Sequence, residues 1–319
     1  MIGHGVVERS GLELIPTGVL SSARPTPFDI YVCEHSSQCV LLCTKNFTLA
    51  DAKIKELRAN KTDVFVKKDE MQPFREYLKG SIDEVVKNHY IDREDKSRMI
   101  YSTATMVVDE LFKNPESKKA IEDTKLLASA IMDDILTDNH SFISMMDVLT
   151  YDYYTYTHCV NVAIYSISIA KKMGLDKKDI GDIAKGAILH DIGKSKVNQE
   201  ILNKRGLLSN DEFEEMKKHP EYGVGILEKT DEKNQNVLDC VLYHHEKLNG
   251  TGYPRGFNKI KIPFFAQIVS VADIFDALTT RRSYKEALHS FEALKLMREK
   301  MGIGLNEYAI DALVRSFHS

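Results

Sequence analysis

The chain has 319 residues, 43% of them apolar and 28% charged, which leaves room for two domains of ordinary globular composition. A net charge of −4 excludes a general pull toward a DNA or RNA polymer or an anionic membrane, so a phosphate-bearing substrate would need local cations or metals. No apolar run reaches the roughly 18 residues of a membrane span, and Met1–Gly5 lacks the basic-then-apolar pattern of a secretory signal.

Residues 1–80 read as a small mixed α/β domain. Leu12–Ile15, Phe28–Cys33 and Cys39–Thr44 are short β-favouring runs separated by Pro, Ser and Asn. Thr48–Asp51 resembles a capping-box helix start, with Asp in place of the usual Glu or Gln, and Leu49, Ile54 and Leu57 suit an amphipathic helix. Asp63–Lys67 alternates as a fourth strand. No residue here has catalytic spacing, which fits a regulatory, interaction or dimerising domain. Five cysteines, an odd number, fit a reducing compartment, and the expected location is cytoplasmic. Cys39 and Cys43 read as small buried hydrophobes rather than metal ligands.

Residues 81–137 read as a helical connector. Phe74, Leu78, Ile82, Val85 and Val86 recur at helical steps, and Ile121, Leu127, Ile131 and Ile135 line one face. Between them, Asn114-Pro115 stops one helix and starts another, with Asn as N-cap. These helices either join the two domains or pair between two copies, which leaves a homodimer open.

Residues 138–319 read as all-helical. Helices are expected at about 141–148, 153–173, 179–191, 210–229 with a break at Pro220, 234–246, 263–280, 289–301 and 306–317. Histidines and aspartates sit at their ends or on their apolar faces. His158 shares a face with Val162, Tyr165 and Ile169, and His190-Asp191 ends a helix whose Ile183, Ala187 and Ile188 face inward. His219 precedes Pro220, His244-His245 ends an apolar helix, and Asp273 lies in the run Ala266–Phe275. Singly, each reads as a hydrogen-bonded core residue or a cap. Together, five His and two Asp on one helical domain need a common partner, because an unpaired buried carboxylate is costly. A pair of divalent cations supplies one. Nitrogen and oxygen donors without thiolate disfavour structural zinc and fit iron, manganese or another first-row ion. Asp191 is the candidate bridge between two ions.

The run His158, His190-Asp191-Ile-Gly-Lys194, His219, His244-His245-Glu246, Gly252-Tyr253-Pro254 and Asp273 resembles the HD-GYP family, a bacterial branch of the HD metal-dependent phosphohydrolases, over roughly residues 140–319. The resemblance implies a mostly α protein: an HD-type all-helical catalytic domain behind the small α/β domain and the connector. It implies a cyclic di-GMP phosphodiesterase that yields the linear dinucleotide pGpG and in some members GMP. It also implies that His158, His190, Asp191 and Asp273 hold one metal, and that Asp191 reaches a second with His219, His244 and His245. Lys194 would bind a phosphate oxygen beside the catalytic Asp191. Arg282-Ser283-Tyr284-Lys285 matches the family's R-P-Y-K/R, so Arg282 and Lys285 would grip the substrate phosphates, and Tyr253 would stack on or hydrogen-bond to the ligand. The loop around Tyr253 is implicated, in the family, in contacts with diguanylate cyclase domains.

Three positions depart from the family pattern. Tyr154 stands where some members carry a Glu ligand for a third metal, so two metals are expected, iron with manganese as the alternative. Asn249 replaces an Asp, keeping an acceptor but losing the charge. Ser283 replaces the Pro of R-P-Y-K. The alternatives to the enzyme are a weakly active or inactive cyclic di-GMP receptor or interaction protein, and a hydrolase of another cyclic dinucleotide.

Overall fold

Short runs rich in β-branched and aromatic residues build a sheet in the first part of the chain. The computed structural model describes all residues except 1–5, 16, 21, 23, 34–37, 61, 88–90, 92, 138–139, 150–154, 205, 282–286 and 319. Tyr154, Arg282, Ser283, Tyr284 and Lys285 therefore lie outside the described residues. The strands are β1 (Val6–Glu8), β2 (Leu12–Ile15), β3 (Ile30–Cys33), β4 (Gln38–Cys43) and β5 (Val64–Lys67). They form one antiparallel sheet in the order β1-β4-β3-β5-β2. β1 escapes a sequence reading because three residues are too few to show alternation. Helices α1 (Asp51–Ala59), α2 (Met71–Lys79) and α3 (Ile82–Lys87) complete this part. Phe28 is fully buried and meets the rings of Phe74 and Tyr77 edge-on, at 5.3 and 5.4 Å.

Two local expectations are corrected here. Helix α1 begins at Asp51 behind Ala50, with no side-chain cap, so Thr48 does not start it. Cys39 is not a free hydrophobe: the register sets it opposite Cys33, and the two form a disulfide across β3 and β4. A pairing across strands follows from register, which cysteine spacing alone does not reveal. The cysteine count therefore carries no argument about compartment.

The chain divides into two units, residues 1–103 and 104–319, and the boundary falls inside α4 (Arg93–Lys113). The expected connector 81–137 is thus split between them. The reason lies in α5 (Lys118–Thr137), whose Ile121, Leu127, Ile131 and Ile135 are buried within the second unit. Ser117, not Asn114, caps α5: its hydroxyl accepts from the Ala120 amide at 3.3 Å.

The second unit continues with α6 (Ser141–Val148), α7 (Thr155–Lys172), α8 (Lys177–Leu189), α9 (Gln199–Leu202), α10 (Asn210–Met216), α11 (His219–Lys229), α12 (Gln235–Tyr243), α13 (Phe264–Thr279), α14 (Ser290–Leu296) and α15 (Glu307–Ser316). Every residue of α7 from Thr157 to Ala170 is buried, as expected of a helix packed on all sides. Helices α5, α8, α13 and α15 pack around it. The expected break at Pro220 falls just before His219 instead. Proline tolerates the first helical turn, where its missing N–H has no partner to lose, so α11 starts there. Among the described residues, no helix is long and apolar enough to cross a membrane.

Candidate metal centre

Four helix termini and one helix face converge in the second unit. His158 comes from the first turn of α7, His190-Asp191 from the end of α8, and His219 from the start of α11. His244-His245 follows α12, and Asp273 lies in α13. Close packing makes this convergence possible. A Cβ on Gly193 would lie 1.9 Å from the His219 carbonyl oxygen, so only glycine lets the turn after Asp191 sit flush on the start of α11. That is the local reason for the glycine in His-Asp-Ile-Gly-Lys.

All seven sequence-predicted ligands come together. Donor atoms of Asp191, His219, His244 and His245 lie within 4.8 Å of one another, and so do those of His158, His190 and Asp273. Asp191 stands between the two groups. Its Oδ2 lies 3.6 Å from His158 Nε2 and 3.4 Å from His190 Nε2. Its Oδ1 lies 3.2 Å from His219 Nε2 and 3.9 Å from His244 Nε2. Asp273 reaches His158 Nε2 at 3.2 Å and His245 Nδ1 at 3.6 Å. His158, His190, Asp191, His219 and His244 are at most 1% exposed.

The hydrogen-bond pattern fixes which ring nitrogens are free. Nδ1 of His190, His219 and His244 lies 2.6, 2.8 and 2.9 Å from the carbonyl oxygens of Ala187, Met216 and Val241. A carbonyl only accepts, so each Nδ1 carries the proton and, in the neutral ring, each Nε2 presents a lone pair. Those Nε2 atoms face one another: His190 and His158 at 3.3 Å, His219 and His244 at 3.3 Å. Asp191 Oδ1, although 3.2 Å from His219, is buried without a hydrogen bond of acceptable geometry. Opposed lone pairs around an orphaned buried carboxylate oxygen are unfavourable unless a cation lies between them. The residues present therefore fit divalent metal ions.

The charge states agree. Burial, then the neighbouring His245 and His190, push His244 well below the ordinary imidazole value. Burial likewise brings His245 down to about 3, so both rings are neutral donors near pH 7. For Asp191, burial acts upward most strongly, yet the Lys194 ammonium and His190 hold the carboxyl well below its ordinary value. Asp273 is lowered too: burial opposes, and the neighbouring His158 and His245 imidazoles prevail. The sulfur of Cys159 is near enough to join His190 and Asp191, and burial raises its thiol well above the ordinary value.

Lys194 lies beside this cluster and donates to Asp191 Oδ2 at 2.5 Å. Tyr253 lies against it, its ring centroid 4.7 Å from that of His245 and 6.3 Å from that of His219. Burial keeps the Tyr253 phenol protonated by pushing it far above the ordinary value. Gly252 packs closely against protein, since a Cβ there would come within 2.4 Å of the Lys247 nitrogen. Asn249 orders the loop without needing a charge: its Oδ1 accepts from the Thr251 amide at 3.2 Å and the Thr251 hydroxyl at 2.8 Å. Arg282 and Lys285 lie outside the described residues.

Two residues of the site escaped the sequence reading. Glu246, 2% exposed, accepts from the amides of Arg255 at 2.6 Å and Phe257 at 2.9 Å, and so holds the loop that carries Tyr253. Its place directly after His244-His245 was the available signal. Asp276, fully buried, lies 2.6 Å from His158 Nδ1. Its signal was a second carboxylate one turn after Asp273 in an apolar helix.

The description of the HD domain family matches residues 130–303, more than half of the chain. The chain belongs to the HD domain family. The chain is 33% identical over 208 residues to a cyclic di-GMP phosphodiesterase of Pseudomonas aeruginosa, covering 64% of itself and 50% of that protein. It is 36% identical over 165 residues to 3'3'-cGAMP-specific phosphodiesterase 3 of Vibrio cholerae, covering 52% of itself and 36% of that protein. Against a cyclic di-GMP phosphodiesterase of Thermotoga maritima the identity is 32% over 207 residues, covering 62% and 55%. The matches thus span from 36% to 55% of these relatives' length. A solved structure, an HDG"Y"P protein from Bdellovibrio bacteriovorus, matches with a TM-score of 0.66 at 22% identity, over 97% of this chain and 100% of the other. That likeness shows the fold.

Proposed function

We propose that this chain is a metal-dependent phosphodiesterase of the HD-GYP branch that hydrolyses cyclic di-GMP to pGpG, with onward cleavage to GMP as an extension of the same chemistry. The observation that carries the metal dependence is the pair of opposed Nε2 lone pairs around the orphaned Asp191 oxygen. The substrate class is supported by the relatives named cyclic di-GMP phosphodiesterases.

In this reading Asp191 would help to hold two ions, iron with manganese as the alternative. His158, His190 and Asp273 would hold one, and His219, His244 and His245 the other. Bound there, divalent ions supply Lewis acidity and an activated water near neutral pH. The side chains do the rest. Neutral His244 and His245 keep their lone pairs available at pH 7. Lys194 turns from Asp191 toward a phosphate oxygen, where its charge offsets the negative charge that builds during phosphoryl transfer. Tyr253, neutral and held by its loop, offers a ring face and a hydroxyl to the nucleotide. Arg282 and Lys285 grip the phosphates by resemblance to the family motif. The cytoplasmic setting and a homodimer belong to the same proposal, and contact with a diguanylate cyclase domain rests on the family resemblance.

The test is to purify the full chain without oxygen, measure its metal content, and add cyclic di-GMP. Linear pGpG at two metals per chain is expected, and a fully metal-loaded protein that leaves the nucleotide intact would overturn the reading in favour of a receptor. A mixed cyclic dinucleotide is the second reading, favoured by the 36% identity to a 3'3'-cGAMP-specific phosphodiesterase. Turnover of both nucleotides in parallel assays separates the two.

A further inference from the structure

Three of the buried histidines of the site are oriented alike. His190, His219 and His244 each donate Nδ1–H to a main-chain carbonyl three residues earlier. His158 differs, because its Nδ1 lies 2.6 Å from Oδ2 of Asp276. Asp276 is fully buried, and its Oδ1 accepts from Asn161 Nδ2 at 2.9 Å and from Thr280 Oγ1 at 3.1 Å. Nδ1 and Nε2 project from opposite sides of an imidazole ring. Asp276 therefore lies behind His158, away from the Nε2 that faces Asp191 and Asp273.

A carbonyl and a carboxylate do different work in that position. Both fix the ring and its tautomer, but only the carboxylate adds a negative charge that strengthens Nε2 as a donor. The His158 group also contains Asp273, whereas the His219 group has no carboxylate besides the shared Asp191. The two halves are thus unequal in charge. The His158 half has Asp273 within it and Asp276 behind it, and the His219 half has imidazoles alone beside the shared Asp191.

We infer that Asp276 is a positioning residue that makes the His158–His190–Asp273 group the tighter of two divalent-cation subsites. The inference rests on the two-metal reading above. Asp276 touches neither substrate nor metal, and acts through the His158 ring.

The experiment titrates metal-free full-length protein with Co2+, following the absorption of the bound ion and the heat released. The native chain is expected to take up two equivalents in two resolved steps. His219→Ala removes the weaker step and so assigns the tighter one to the His158 side. Asp276→Asn keeps an acceptor for His158 but removes the charge. It should weaken the tight step by about 10- to 100-fold and alter the spectrum of that step, leaving the other within about threefold. Thr280→Val keeps the carboxylate, withdraws one of its hydrogen bonds and should weaken the same step by about threefold. This second variant carries the test if Asp276→Asn does not fold. Uptake of one equivalent by the native chain would overturn the two-metal reading. Two equivalents with the tight step unchanged in the folded variants, or with the weaker step affected instead, would overturn the role of Asp276 alone.

Discussion

The two units handle polar groups in opposite ways. In the sheet unit, carboxylates find partners within the protein. Asp29 accepts from the Lys45 amide and the Tyr31 hydroxyl, and lies 3.6 Å from the Lys67 ammonium at the rim. The centre of that unit is apolar, built on Phe28, Phe74 and Tyr77. In the helical unit, a carboxylate and several imidazole nitrogens are buried with their acceptor sides facing each other. Buried acceptors left unpaired by protein destabilise a fold unless a ligand completes them. The first arrangement serves the fold, and the second is shaped for ions.

The contrast is broken most severely at its centre. Asp191→Ala removes the carboxylate both histidine groups share, and turnover of cyclic di-GMP should fall by about 10³-fold or more, the equivalent of about 4 kcal/mol. Metal analysis of the same variant should show less than the native content. A variant with native rates would remove Asp191 from the site.

Next in size is a change at the apolar centre of the other unit. Phe28→Ala should destabilise the sheet unit by about 3 kcal/mol, measured by denaturant unfolding, through lost burial and a cavity. Its metal content per folded chain should stay native. Loss of metal from folded Phe28→Ala protein would show that the two units are not separable in this way.

Within the helical unit, the partly buried pair Lys185–Glu232 is a polar contact that the protein completes by itself. Burial acts most strongly on Glu232 and raises its carboxyl, but the Lys185 hydrogen bond and the Asn234 amide outweigh it and leave the group below its ordinary value of 4.5. A lowered carboxyl stabilises the fold at pH above 4.5 and loses that contribution as pH falls through the folded value. Lys185→Met should therefore cost about 2 kcal/mol at pH 7. The difference from the native chain should shrink in acid. A difference that stays constant with pH would remove the ion pair as its cause.

The smallest effect is expected at Glu246, a buried carboxylate satisfied by two main-chain amides. Glu246→Gln leaves one acceptor and sets an NH2 group against the second amide. The loop carrying Tyr253 should loosen, raising KM for the nucleotide about tenfold, about 1.4 kcal/mol, with kcat and metal content close to native. A fall in kcat at unchanged KM would place Glu246 in the chemistry rather than in the loop.

Much of the helical unit was legible because its signals are local. The helix expected at 141–148 is Ser141–Val148, and those expected at 263–280 and 306–317 are Phe264–Thr279 and Glu307–Ser316. Periodicity and caps fix such boundaries within a few residues. Elsewhere the governing contact was distant. β1 is defined by its pairing with β4, Cys39 by its register opposite Cys33, and α5 by the apolar face it buries in the second unit. None of these partners is written in neighbouring residues.

The candidate site divides along the same line. The sequence by itself determined which side chains could be ligands, because His and Asp at helix ends and on apolar faces are chemically conspicuous. Their grouping was implied only through a family resemblance, and the tertiary structure supplies the distances, with Asp191 turning one oxygen to His158 and His190 and the other to His219 and His244. It also decided what stands behind each ring. The carbonyls behind three of the histidines are main-chain atoms with no residue-type signature, and Asp276 is 118 positions from His158 in the chain. A metal centre depends on distances of a few ångströms between segments far apart in sequence, and those distances are set by helix packing.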